Sequence, residues 1–170
     1  MRRRTFLTVG LAGAATLAAA GWFASVLRMR AGTSALDDNA RAIVAAIVPA
    51  MLDRALPEPP SDRNAAVAET VDGVDRAIQG LPPSARAELG QLFALLALTP
   101  ARRAFAGVAS PWTEATREEI DEFLNAWRSS GWALKRSAYD ALHQIILAAW
   151  YGNPRSWADI GYPGPPRIGR

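Results

Sequence analysis

Apolar residues return at three- and four-residue spacing along most of this chain, the period of a helix with one buried face. Ile43, Val44, Ile47, Val48, Met51 and Leu52 mark the first stripe. Asp37 or Asp38 can cap it, and Pro49 either kinks it or ends its first half by removing a backbone donor. The Pro57-Glu58-Pro59-Pro60 run stops it. Ser61 or Asp62 can cap a second helix carrying Val67, Val71, Val74 and Ile78, with Gly80 where a C-terminal cap falls. Leu81-Pro82-Pro83-Ser84 reads as a connection and cap ahead of Leu89, Leu92, Phe93 and Leu96.

Thr99 and Pro100 open a short helical piece through Phe105 that should stop at Gly107, and Trp112 introduces the next element. Thr116 and Glu119 have the spacing of a capping box, in front of a stripe of Ile120, Phe123, Leu124 and Trp127. Beyond Gly131 a last helix turns Leu134, Ala138, Leu142, Ile145, Ile146 and Ala149 to one side. No stretch alternates with a period of two, and no internal repeat is seen. The pattern predicts an all-α fold: a bundle-like array of about five helices over residues 36–151, preceded by a hydrophobic signal or anchor helix over 1–35. Residues 152–170 carry Gly and Pro at a density that cannot continue a helix, and read as an extended, turn-rich docking tail.

Charge changes the picture little. The 170 residues carry a net charge of +3, and Arg2, Arg3 and Arg4 account for all of the excess of 19 basic over 16 acidic residues. The other basic groups are interleaved with Asp and Glu and form no stripe for a run of phosphates, so nucleic acid is not an expected partner. The absence of Cys excludes disulfides, thiolate metal sites, iron–sulfur clusters, covalent haem and cysteine nucleophiles from this chain. His143 is the only histidine, so one copy cannot build a site from several imidazoles. The Gly pairs lie within or between helical patterns, where no strand–turn–helix dinucleotide unit can form. No cofactor or metal is expected in this chain.

Arg3-Arg4-Thr5-Phe6-Leu7 resembles the core of a twin-arginine (Tat) export signal, with Arg3, Arg4, Phe6 and Leu7 as its targeting residues. An uncharged run rich in Ala and Gly follows over 5–27, and then Arg28 and Arg30. An ordinary start-transfer helix obeying the positive-inside rule is the alternative, and both readings carry the rest of the chain out of the cytoplasm. Ala18-Ala19-Ala20 and Thr33-Ser34-Ala35 offer cleavage sites, yet the run is also long enough to span a bilayer as an uncleaved anchor. The expected location is periplasmic, free or anchored to the cytoplasmic membrane. The Tat route accepts folded cargo, so a chain without a cofactor site is expected to travel with a folded, cofactor-bearing partner.

The Arg3-Arg4 signal, the Ile47-Val48-Pro49 element, the helix over 123–127 and above all the tail Tyr151-Gly152-Asn153-Pro154, Trp157 and Gly161-Tyr162-Pro163-Gly164 resemble the gluconate 2-dehydrogenase subunit 3 family. These are small Tat-exported subunits that accompany flavin-dependent GMC-type dehydrogenases of sugars, polyols and sugar acids. The resemblance implies a non-catalytic accessory subunit supporting maturation, export and anchoring. Its partners would be the Tat translocase, a large FAD-bearing subunit and, as is frequent in that family, a cytochrome c subunit. Partner contact is expected at Tyr151, Asn153, Pro154, Trp157, Gly161, Tyr162, Pro163 and Gly164. The rival reading is a free-standing periplasmic or membrane-anchored enzyme or binding module.

Other candidates have plainer explanations. His143 could be a base or ligand but sits on a helix beside Leu142 and Ile145, where a structural role is expected. Glu118, Glu119, Asp121 and Glu122 could gather a cation, but they include acids that complement a helix N-terminus. Trp127, Trp132 and Trp150 fit core or helix-junction packing, whereas Trp157 and Tyr162 lie in the tail and favour partner contact over self-packing.

Overall fold

The computed structural model describes residues 36–166, and these form an all-helical array without strands. The expected signal, with Arg3, Arg4, Phe6, Leu7 and both cleavage sites, lies outside the described residues. Six helices follow in order: α1 (Asp38–Leu52), α2 (Pro60–Gln79), α3 (Pro83–Ala97), a short α4 (Thr99–Ala101), α5 (Arg117–Arg128) and α6 (Ala133–Tyr151). A π-helical turn, Arg102–Ala106, extends α4, and 3-10 turns lie at Asp53–Ala55 and Pro154–Ser156. Among the described residues no helix is long and apolar enough to cross a membrane.

α1 is the central helix. Ile43, Val44, Ile47 and Val48 are wholly inaccessible to solvent, because α2, α3, α5 and α6 all pack around it. Asp37 caps it, accepting from the Ala40 N–H at 2.7 Å. Pro49 lies within the last turn and the helix runs on to Leu52, so its missing donor neither splits nor ends the element there. On its outer side Arg41 pairs with Asp72 and Asp75 of α2, and Asp75 also accepts the Leu36 N–H at 2.8 Å. The incoming chain is thus tied to α2.

α2 and α6 form the most extensive helix pair. Gly73 makes their closeness possible: a Cβ there would lie 3.0 Å from the Ala149 Cβ. An aromatic chain joins the same core. Phe123 stands edge-on to Trp112 at 5.7 Å and to Trp127 at 4.8 Å. The indole N–H of Trp112 donates to the Leu96 carbonyl at 2.9 Å, and that of Trp127 to the Phe105 carbonyl at 3.0 Å, so both rings bury without an unpaired donor. The capping box at α5 is present in full, with Thr116 and Glu119 each accepting the other's backbone N–H.

Four local expectations are corrected. α2 starts at Pro60 with Pro59 at the N-cap, ahead of Ser61 and Asp62, because proline preorganises the first helical turn at no cost in donors. The short piece that opens at Thr99 counts as a helix of its own, giving six rather than five. Trp132, expected in the core or at a helix junction, packs edge-on to Phe105 at 6.1 Å but is 64% exposed, and Leu134, expected on the buried stripe, is 67% exposed. They lie at the start of α6, where no helix among the described residues covers them fully. Finally, the start of the tail is not extended. It folds into a 3-10 turn and a run of turns that lies back on α6 and α2.

Candidate functional site

Two surface features combine residues from distant parts of the sequence. The first is the tail. Asn153 caps the Pro154–Ser156 turn by accepting the Arg155 N–H at 3.0 Å, while its amide donates to Glu69 of α2 at 2.9 Å. Arg155 grips the same carboxylate through Nε at 2.9 Å and Nη2 at 2.6 Å, a two-point guanidinium–carboxylate pair. Hydrogen bonds from Arg155, then from Asn153, hold the Glu69 carboxyl down at about 2 from its usual 4.5. Ser156 is buried, its hydroxyl 2.9 Å from both the Trp150 and Asn153 carbonyls, so the buried O–H is not left without an acceptor.

Further along, the Trp157 indole N–H donates to the Tyr151 carbonyl at 2.9 Å, and its ring meets Tyr162 edge-on at 5.3 Å. The backbone returns at Gly161 and Gly164 with φ of 67° and 94°, a left-handed region that favours glycine. At Gly164 a side chain would also meet the Trp157 ring, with Cβ 3.1 Å from Cζ3. The eight tail residues picked out by sequence are therefore gathered into one small folded cap at the end of α6. Trp157 is half-buried within it, and Tyr151 and Tyr162 keep 43% and 44% of their surfaces exposed. Ile160, 52% exposed, joins them on the outside. Sequence reasoning missed Glu69, Arg155 and Ser156. Nothing in the spacing of Glu69 distinguishes it from any acid on the outer face of α2.

A polar cleft of about 320 Å³ adjoins this cap, bounded by Glu69, Asp72 and Arg76 on α2 and by Gly152, Asn153 and Pro154. The second feature is an apolar groove of about 720 Å³ between α3 and α6. Leu89, Ile145 and Trp127 line its depth, Leu92, Leu95, Ala138 and Ala141 its walls, and Phe105 one end. α3 turns Leu89, Phe93 and Leu96 toward the core, and its remaining leucines, Leu92 and Leu95, face this groove only half-covered. At the rim the Lys135 ammonium sits 5.2 Å from the centre of the Phe105 ring and 5.9 Å from that of Trp132, a cation held against aromatic faces.

The other candidates take structural places. His143 stacks on Tyr139 one turn earlier, with ring centres 5.6 Å apart. Glu119 completes the capping box and also accepts from Ala109 and Ser110; these contacts, led by the Thr116 backbone, lower its pKa. Asp121 pairs with Arg117, which also reaches Asp53. Among the described residues no group of three His, Asp or Glu side chains is placed to hold a metal ion.

No protein-family model, curated protein or solved structure matches the chain. The two features are an aromatic cap tethered by an ion pair, and a long apolar groove with polar groups at its rim.

Proposed function

We propose that this chain is a non-catalytic small subunit of an exported flavin-dependent dehydrogenase of sugars, polyols or sugar acids. It carries the export signal and holds the FAD-bearing subunit in a folded state for Tat export. The observation that carries the reading is the tail. Tyr151, Asn153, Pro154, Trp157, Gly161, Tyr162, Pro163 and Gly164 make up the family-like motif, and the same residues form one preorganised surface whose rings remain half-exposed. Such a surface suits partner contact, since ordering an aromatic patch in advance lowers the entropy lost on association. Arg3 and Arg4 would address both proteins to the Tat translocase, and the subunit would end in the periplasm, released or anchored by its apolar segment.

The test is a mild-detergent pull-down of the tagged chain from its native envelope, with an absorbance spectrum and mass spectrometry of what accompanies it. A stoichiometric protein with flavin absorbance near the tagged chain is expected. Replacing both Arg3 and Arg4 by Lys should leave the flavoprotein in the cytoplasm; its normal export from that strain would overturn the carrier role.

A second reading, a free-standing binding module, draws on the α3–α6 groove, whose size is within the range of small-molecule sites. An apolar small molecule extracted from a chain recovered alone would favour it.

A further inference from the structure

The groove between α3 and α6 is too large to be a packing defect. Its 720 Å³ equals roughly two dozen water molecules at about 30 Å³ each, yet most of its lining is apolar. We infer that it is the berth of the chain's own uncharged segment, residues 5–27, which occupies it as a helix whenever that segment is not in a membrane or a translocase.

Reach is the first argument. Leu36 is pinned to Asp75 on α2, and two residues further on Ala77 stands at the end of the groove together with Leu81. Residues 28–35 span at most roughly 26–29 Å when extended, while passing half-way around one helix of about 10–12 Å diameter takes roughly 16–19 Å. The tether is long enough to bring residue 27 to that end with slack remaining. Length is the second. On α6 the lining runs from Leu134 to Ala148, about 21 Å at 1.5 Å per residue, and the uncharged run would make a helix of about 34 Å. The segment can fill the groove from end to end.

Surface character is the third argument. The walls facing the gap carry Ala85, Ala138, Ala141 and Ala148, and the segment itself is dominated by Ala with Gly10, Gly13 and Gly21. Small residues on both sides allow two helix axes to approach closely, and the larger Leu11, Leu17, Trp22 and Phe23 supply side chains to fill the depth above Leu89 and Trp127. An uncharged run left in water exposes apolar surface of the kind that drives association, and this groove is an apolar surface that no described residue covers. Docking would satisfy both within one molecule, and a bilayer or translocase would compete for the same segment. The inference does not depend on which enzyme the chain accompanies.

The lack of native cysteine makes the test direct. Single cysteines scanned through positions 14–24 of the full chain are paired with Ala141→Cys in the groove or with Glu118→Cys on α5, outside its lining, and the purified full chain, free of lipid and detergent, is treated with a short bismaleimide. A cross-link within one chain is expected for the Ala141→Cys pairs at helical periodicity and not for the Glu118→Cys pairs. Leu92→Asp should reduce it roughly ten-fold or more, because a carboxylate in an apolar contact must be desolvated. Ala138→Glu replaces that variant if circular dichroism shows Leu92→Asp unfolded. No cross-link, equal cross-linking at both sites, or cross-links only between chains would overturn the inference, the last by assigning the groove to a second copy. Loss of the flavoprotein from the pull-down would leave this result unchanged, so the two readings fail separately.

Discussion

Arg155 and Glu69 meet through two hydrogen bonds of 2.6 and 2.9 Å although 86 residues separate them, and this pair fixes the tail cap to α2. Asn153 adds a third bond to the same carboxylate. Both partners keep a third or more of their side chains in solvent, so the geometry is good but the pair is screened.

Glu69→Gln should therefore cost only about 0.2–1 kcal/mol of global stability, while loosening the 153–156 turn that the pair holds against α2. Proteolysis between 153 and 157, read by mass spectrometry, should become faster, with the helical circular dichroism unchanged. The pH dependence has a definite sign. The folded pKa of Glu69 lies below its usual 4.5, so the clasp contributes fully above about 4.5 and is lost as pH falls toward about 2. Tail protection that is flat between pH 5 and 2 in the native chain would exclude Glu69 as the anchor.

Gly73 and Gly131 make opposite predictions. At Gly73 a new Cβ would meet Ala149 at 3.0 Å, so Gly73→Val forces α2 and α6 apart and should cost about 1–3 kcal/mol. That amounts to a fall in Tm of roughly 3–6 °C for each kcal/mol. Among the described residues nothing lies within 4 Å of a Cβ at Gly131, in the α5–α6 turn, and its φ is not left-handed. Gly131→Ala should stabilise by about 0.4–1 kcal/mol by restricting the unfolded chain. Thermal denaturation of the two variants checks both signs.

How much of this could be read from sequence depended on whether the information was local. The Asp37 cap, the Thr116–Glu119 box and the stripe Ile120, Phe123, Leu124, Trp127 all follow from spacings within one helix, and each appears as expected. Leu134 was misjudged because periodicity reports which side of a helix is apolar but not whether another helix arrives to cover it. The Pro/Gly density correctly signalled turns after Tyr151. It could not show that Ser156 and Trp157 return to the Trp150 and Tyr151 carbonyls, since that is a contact made by the end of α6, or that Glu69 waits on α2. The candidate site was thus legible as a list of tail residues and illegible as an object.

Trp157 is the residue on which the outer half of the cap depends. Its indole N–H holds the Tyr151 carbonyl, its ring supports Tyr162, and the Gly164 backbone passes against its edge. Trp157→Phe keeps a ring for Tyr162 but drops the N–H, and should cost about 0.5–1.5 kcal/mol. Trp157→Ala removes both, so residues 158–166 should lose their protection while 153–156, held by Glu69 and by the buried Ser156 hydroxyl, keep theirs. Hydrogen exchange of the amides separates the halves: the Tyr162 N–H, bonded to the Trp157 carbonyl at 2.9 Å, should exchange far faster in Trp157→Ala, and the Ser156 N–H should not. If both halves opened together, the cap would be one cooperative unit, and Glu69→Gln would then be expected to release Tyr162 as well.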